Sequence, residues 1–193
     1  GHIYIFSTFM DVDELHQWEK LICGNIDYNP AGGLYQLSTA QELIQKLIEK
    51  SIGTVCTLVM IYMAENEEEP SRKGQTPMQD TRECIRVALS LALGTDVIIG
   101  DYNADRIIAF FPKSDSRSML KRRIEDAFAY VRATMSRYPH MESIRLVAGA
   151  SMERIEDADY ETMLMQTGYL CNIWRNSAMD TIVFHEEDED WEE

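Results

Sequence analysis

The stretch DVIIGDYNADRIIAFFP, residues 96–112, decides the fold. Two runs rich in β-branched and aromatic residues, 96–101 and 106–111, flank the tetrapeptide 102–105, Tyr-Asn-Ala-Asp. Asn and Asp between two such runs favour a tight turn, so the stretch predicts a β-hairpin. Pro112 ends the second strand because proline has no backbone N–H to donate to a neighbouring strand.

The segments on both sides of the hairpin alternate between strand and helix patterns. Before it, residues 55–63 are apolar on both faces, which is typical of a central strand covered by helices, and residues 80–93 repeat apolar side chains at helical spacing. After it come a helical stripe, a strand at 144–150, a helix at 160–174 and a strand at 181–185. The stripe after the hairpin consists of Leu120, Ile124, Ala127, Phe128, Val131 and Met135.

This order predicts an α/β (α+β) fold. The six elements from residue 55 to residue 150 run β-α-β-β-α-β, the order of a ferredoxin-like core. We expect a central, mainly antiparallel sheet with residues 55–63 beside residues 144–150, the hairpin to one side, and helices packed on the sheet faces. A further helix precedes the core, and we predict two capping boxes, Ser38 with Gln41 and Asp80 with Glu83, at the starts of helices.

Composition excludes several classes of function. The 193 residues contain 18 Lys and Arg against 33 Asp and Glu, a net charge of -15, which argues against nucleic acid and anionic lipid as partners. No apolar run approaches the ~20 residues of a membrane helix. The cysteines, Cys23, Cys56, Cys84 and Cys171, form no CxxC pair, so we expect buried free thiols in the last three, no zinc site and a reducing, cytoplasmic compartment.

Several scattered positions match one known family in order and spacing. Residues 29–36, NPAGGLYQ, are similar to an opening D-P-L-T-G-L-Y-N, and residues 80–81 lie where a helix opens with G-D. The hairpin residues Asn103, Ala104, Asp105, Arg106 and Ile107 align on G-G-D-E-F. Residues 147–149 align on S-I-G, residues 167–168 on A-D, and Asp180 on the Asn of a closing G-R-N-R. Residues 29–185 therefore resemble the GGDEF domain of diguanylate cyclases.

The first 28 residues resemble the end of a sensor domain. Residues 3–9 predict a strand, and Asp11, Val12 and Asp13 are similar to the D-I-T that closes many PAS domains. Apolar residues then recur at helical spacing at Leu15, Trp18, Leu21 and Ile22. We expect the end of a PAS-like domain and a linker helix in residues 1–28, a GGDEF-like domain in 29–185, and a solvated acidic tail in 186–193.

The resemblance implies a site whose chemical groups are absent here. A diguanylate cyclase holds magnesium and triphosphate with carboxylates at the end of its first core strand and in the hairpin, but residues 61–63 are Ile, Tyr and Met, and Arg106 stands at the Glu position. Asp105 alone matches. We expect no catalytic residues, no metal and no cofactor, and we expect Arg106 to pair with Asp101. Asp96 falls one residue from the Asp of the family's R-x-x-D product-inhibition site, whose Arg is missing, which argues against binding of GTP or cyclic di-GMP.

Three functions follow from these residues. The favoured one is a catalytically inactive GGDEF-like domain of a bacterial sensor protein that transmits a signal, forms a homodimer or contacts a partner output domain. The parent protein would be cytoplasmic, with or without a membrane tether elsewhere, and this fragment would not insert into a membrane. The alternatives are an active or residual diguanylate cyclase that uses Asp105, and a ferredoxin-like module that binds a small ligand.

Overall fold

The computed structural model describes residues 28–29, 34–65, 78–114, 116–138 and 141–185. The strands are β1 Tyr28–Asn29, β2 Leu34–Gln36, β3 Val55–Glu65, β4 Ile98–Asn103, β5 Arg106–Phe111, β6 Ile144–Arg154 and β7 Thr181–Phe184. The helices are α1 Leu37–Lys50, α2 Met78–Leu93, α3 Arg117–Met135 and α4 Tyr160–Trp174. The PAS-like strand, the helix with Trp18, the Gly32–Gly33 pair and the acidic tail lie outside the described residues.

The strands form one sheet in the order β1-β2-β4-β5-β3-β6-β7. β3 lies between β5 and β6 and is antiparallel to both, as the ferredoxin-like order predicts. The parallel pairs, β2 with β4 and β6 with β7, lie towards the two edges. No local sequence pattern predicts β1 and β2, which pair with each other over two residues each. So short a ladder leaves no alternating pattern to recognise.

Helices cover both faces of the sheet. α2 and α3 pack on one face, around a cluster that includes Ile61, Met63 and Ile107. α1 and α4 pack on the other face, against Leu58 and Met60. Successive side chains of a strand point to opposite faces, so β3 must be apolar at nearly every position.

One close contact between β6 and α4 depends on Gly149, the last residue of the stretch 147–149 that aligns on S-I-G. A Cβ on Gly149 of β6 would lie 2.5 Å from the carbonyl oxygen of Thr167 and 2.9 Å from Cβ of Leu170. Only a residue without a side chain therefore lets α4 approach β6 this closely. Residues 147–149 and 167–168, which align on two separate family motifs, meet at this contact.

Both predicted capping boxes are wrong. α1 begins at Leu37 directly after β2, its N-cap is Gln36, and no side chain caps it, so Ser38 lies inside the helix. Asp80 likewise lies inside α2, which includes residues from Met78 onwards. The side-chain caps are at Ser116 of α3 and Asp159 of α4, whose oxygens accept hydrogen bonds from the amides of Met119 and Thr162. A capping box is a short pattern, and a strand that runs straight into a helix overrides it.

The core stripes are confirmed with two corrections. All six stripe residues of α3 are buried, and so are Cys56 and Cys171. Cys84, by contrast, is only half-buried. The helical spacing of apolar residues within 160–174 also predicts a buried Trp174, but this last residue of α4 is 45% exposed. No helix within the described ranges is both long and apolar enough to span a membrane.

Candidate functional site at the hairpin tip

Two hydrogen bonds of Asp105 close the tip of the β4–β5 hairpin and hold it against the end of β3. The amide of Asp105 donates to Oδ1 of Asn103 over 3.1 Å, which closes the turn. The carbonyl oxygen of Asp105 accepts from the amide of Met63 over 2.8 Å. The three strand ends that the resemblance assigns to a site are therefore adjacent.

The pairing register decides which face each tip residue occupies. Tyr62 lies opposite Arg106, and Ile61 lies opposite Ile107. Ile61 and Met63 are completely buried against α2 and α3, whereas Tyr62 is half-buried on the face that carries α4. The two apolar side chains belong to the core and have no oxygen or nitrogen that could bind a cation.

Arg106 is held at the tip by several groups. Its guanidinium lies 4.8 Å from the centre of the Tyr62 ring, within the range of a cation–π contact. Its Nη2 donates to Oδ1 of Asn172 in α4 over 2.8 Å. Its Nε lies 4.0 Å from Oδ1 of Asp105 and is buried without a hydrogen-bond partner among the described residues. The tip thus carries a fixed positive charge beside its aligned aspartate.

The predicted pairing of Arg106 with Asp101 is wrong. Asp101 of β4 lies opposite Ile107 of β5, so its side chain points to the sheet face that carries α2. Arg106 precedes Ile107 in β5, so its side chain points to the opposite face, which carries α4. Oδ2 of Asp101 instead accepts from Nη1 of Arg86 in α2 over 3.0 Å. Arg86 is buried, and the same Nη1 lies 3.1 Å from Oε2 of Glu83. The alternation of strand side chains therefore separates the two hairpin charges onto opposite faces of the sheet.

Asp96 forms an ion pair with Arg123, a residue that no sequence pattern connects with it. Both carboxylate oxygens accept from Arg123 of α3, over 2.5 and 2.9 Å. Arg123 also donates to the carbonyl oxygen of Leu93, at the end of α2. The side-chain hydrogen bond from Arg123 holds the pKa of Asp96 below its ordinary value of 3.8. No local pattern joins these two residues, because Arg123 lies 27 positions further along the chain.

Asp180, the residue aligned on the family's closing motif, forms hydrogen bonds to both α3 and β6. Its carboxylate accepts from Nε of Arg132 over 2.7 Å and from the amide of Leu146 over 2.9 Å. Arg132 also donates to the carbonyl oxygens of Met141 and Ile144. This network joins the end of α3 to the first residues of β6 and to the residue before β7.

The two buried thiols, Cys56 and Cys171, are poorly suited to nucleophilic chemistry. Burial raises the pKa of Cys171 to about 11 and that of Cys56 to about 12, so both are protonated near neutral pH. Within the described ranges, no three His, Cys, Asp or Glu side chains converge closely enough to hold a metal ion.

Comparison with known proteins identifies the fold. The sequence matches no protein-family model and no curated protein. Among solved structures, it is similar to the diguanylate cyclase SiaD of Pseudomonas aeruginosa, which was crystallised with its activator SiaC. The TM-score is 0.66 at 16% identity, over 90% of this chain and 67% of that chain.

Two more solved structures have the same architecture. The coiled coil and GGDEF domain of DgcB from Caulobacter crescentus, in complex with c-di-GMP, gives a TM-score of 0.65 at 10% identity, over 90% of this chain and 93% of that chain. The GGDEF domain of YfiN from Pseudomonas aeruginosa gives 0.62 at 15% identity, over 82% and 94%. At these identities the likeness shows the fold, and the chain has the mixed α/β fold of GGDEF diguanylate cyclase domains.

Proposed function

We propose that this chain is a non-catalytic GGDEF-like signalling domain of a bacterial sensor or regulatory protein. The observation that carries the proposal is the position of Arg106, which stacks on Tyr62 and donates to Asn172 at the hairpin tip. On the sequence resemblance, this guanidinium and this aromatic ring stand at positions where a diguanylate cyclase would need carboxylates.

The chemistry of the reaction explains why this substitution matters. Joining two GTP molecules requires a magnesium ion on the triphosphate, and magnesium is bound by oxygen ligands, usually carboxylates. Arg106 would repel that ion, and the buried side chains of Ile61 and Met63 supply no ligand. Asp101 is already engaged by Arg86, so it does not compensate.

The regulatory half of the proposal concerns contacts with other proteins. We infer that residues 1–28 contain the end of a PAS-like sensor and a linker helix, that residues 29–185 form the signalling domain, and that residues 186–193 form an acidic tail. The apolar stripe of the linker helix, centred on Trp18, would join two copies or contact a partner output domain. SiaD, which shares the fold, was crystallised with an activator protein.

The deciding experiment measures formation of cyclic di-GMP from GTP and Mg²⁺ by the purified protein, beside an active diguanylate cyclase as positive control. We expect no product above the buffer control. We also expect none from the triple variant Asn103→Gly, Ala104→Gly and Arg106→Glu, because the end of β3 still lacks carboxylates. Calorimetry with GTP and with cyclic di-GMP, each with Mg²⁺, should detect no binding.

Two results would contradict the proposal. Turnover by the parent protein that is lost in Asp105→Ala would favour a residual diguanylate cyclase. Magnesium-dependent turnover by the triple variant would show that the end of β3 needs no carboxylate.

A further inference from the structure

Large apolar side chains are exposed along the side of α4 that faces away from the sheet. We term them the apolar ridge of α4: Met165, Tyr169 and Ile173, which are 69%, 63% and 55% exposed. They recur every four residues, so they lie within about 80° of one another around the helix and extend over ~12 Å along it. The opposite side of α4 packs on the sheet, where Sγ of Cys171 lies 3.3 Å from the carbonyl oxygen of Met60 in β3. Within the described ranges, nothing buries the ridge.

The ridge lies on the least charged of the described helices. α4 contains a single charged residue, Glu161, which lies in its first turn. Its carboxylate accepts from Nε2 of Gln41 in α1 over 3.0 Å, so it points to one flank of the helix. α1 and α2 contain four charged residues each, and α3 contains seven. An exposed apolar surface that is free of charge commonly marks an interface.

The charge of the chain indicates what can cover this ridge. A net charge of -15 makes two copies repel each other wherever acidic surfaces meet. At the ridge, two copies can approach without bringing carboxylates together. A strongly charged partner segment would find no opposite charge there and would lose hydration on contact. A second copy, by contrast, presents the same uncharged and apolar surface.

We propose that the apolar ridge of α4 is an interface between two copies of this chain. The two helices would pack antiparallel about a two-fold axis near Tyr169, so that each ridge residue is used twice. Met165 would then lie beside the partner subunit's Ile173. The two Tyr169 rings would meet at the axis, where an offset stack of aromatic rings is favourable.

The position of Glu161 favours the antiparallel arrangement. In a parallel pair, the two Glu161 carboxylates would lie side by side at the same end. Antiparallel helices centred on Tyr169 separate them by ~24 Å along the axis, well beyond the screening length of ~8 Å at physiological salt. The antiparallel pair also places the positive end of each helix dipole beside the negative end of the other.

The interface would be weak, and it is separate from the hairpin tip. A standard interface buries about 800 Å² on each partner, and three partly exposed side chains supply less than that. Pairing therefore depends on concentration, and any other contact that joins two copies would strengthen it. The inference goes beyond the proposed function, which assigns no role to the outer side of α4. The cyclic di-GMP assay tests that function, whereas the oligomeric state tests this interface.

The first measurement is sedimentation velocity of the full chain. Because interfaces of this size are weak, we expect a dissociation constant above ~1 µM, so the concentration is varied from about 1 to 500 µM. We expect the parent protein to pass from monomer towards dimer over this range. Met165→Lys should weaken the dimer at least ~10-fold, because the two-fold axis places a lysine against an apolar side chain twice.

Met119→Lys is the matched control. Met119 is 61% exposed on α3, which packs on the other face of the sheet, and the substitution makes the same change in net charge. We expect this variant to form dimers as the parent does. Circular dichroism should show that all variants are folded.

A charge swap tests the antiparallel register. Ile173→Glu alone should weaken the dimer as Met165→Lys does. The two substitutions in one chain would place the introduced lysine of each copy beside the introduced glutamate of the other. Within one helix the two positions are ~12 Å apart, too far for a direct ion pair. We therefore expect the double variant to form more dimer than either single variant at low salt, and to lose this advantage at high salt.

Three outcomes would overturn the proposal. The first is a parent protein that stays monomeric at the highest concentration. The second is an equal effect of Met165→Lys and Met119→Lys, which would show that the dimer, if one forms, is joined elsewhere. The third is a double variant that forms less dimer than either single variant, which would exclude the antiparallel pair.

Discussion

The guanidinium of Arg106 donates to Oδ1 of Asn172 over 2.8 Å, which ties the tip of the β4–β5 hairpin to α4. The two residues are 66 positions apart. Arg106 is set in this direction by its pairing with Tyr62, which places both side chains on the face that carries α4. The tip is therefore held by a side chain in addition to its backbone hydrogen bonds.

Replacing Arg106 should loosen this attachment. We expect Arg106→Ala to lower the free energy of unfolding by about 1–2 kcal/mol, because a hydrogen bond and a cation–π contact are lost together. Chemical denaturation measures the loss, and Arg137→Ala, at an exposed arginine, should change it by less than ~0.5 kcal/mol.

A double-mutant cycle with Asn172→Ala tests the partner. We expect a coupling energy of about 0.5–1 kcal/mol between positions 106 and 172. Strictly additive effects would mean that the bond contributes nothing in solution.

The contact between β6 and α4 should be intolerant of a single methyl group. In Gly149→Ala the new Cβ would meet the carbonyl oxygen of Thr167 and Cβ of Leu170, and neither atom can move without shifting the helix. We expect a loss of about 1–3 kcal/mol in the free energy of unfolding, as for other overpacked cores.

Gly168, on the same helix, provides the control. A Cβ there would meet nothing closer than Cε of Met60 at 3.8 Å. Gly168→Ala should therefore stabilise the protein by about 0.5–1 kcal/mol through better helix propensity. Equal effects of the two substitutions would contradict the packing argument.

The ion pair of Asp96 should make part of the stability depend on pH. Because Arg123 lowers the pKa of Asp96, the folded state binds this proton less readily than the unfolded state does. The contribution is therefore complete above the ordinary pKa of 3.8 and is lost as the pH falls through the lowered value.

We expect Asp96→Asn to cost about 1 kcal/mol or less at pH 7, since the pair is partly exposed, and to approach the parent protein as the pH falls through the lowered pKa of Asp96, because the folded parent then also binds the proton. Urea denaturation across this range measures the difference. Asp157→Asn removes the same charge at an exposed carboxylate without an ion pair in the described part of the chain, and at pH 7 it should change the free energy of unfolding by less than ~0.5 kcal/mol. A cost for Asp96→Asn that persists at the lowest pH would refute the electrostatic origin.

The sequence by itself determined the order of the elements from α1 onwards and the centre of the sheet. The apolar run of β3, the stripe of α3 and the turn residues between β4 and β5 are each local patterns, and local patterns survive folding when core burial reinforces them. Gly94 is another local signal that agrees with the fold. It follows Leu93, the last apolar residue at helical spacing, and its φ of 89° ends α2 there. The capping box predicted at Ser38 was wrong because β2 runs directly into α1, and a short local pattern does not record where that strand ends.

Tertiary structure alone decided where the charges of the candidate site point. The registers of β5 against β3 and β4 place Arg106 opposite Tyr62 and Asp101 opposite Ile107, and the spacing of residues does not record these registers. They determine that Asp101 faces Arg86 and that Arg106 faces Asn172. Likewise, Asp96 and Asp180 find their arginines on α3, far along the chain. A charged side chain forms a hydrogen bond only with a group that the fold places within about 3 Å of it. The spacing of residues along the sequence does not specify that distance.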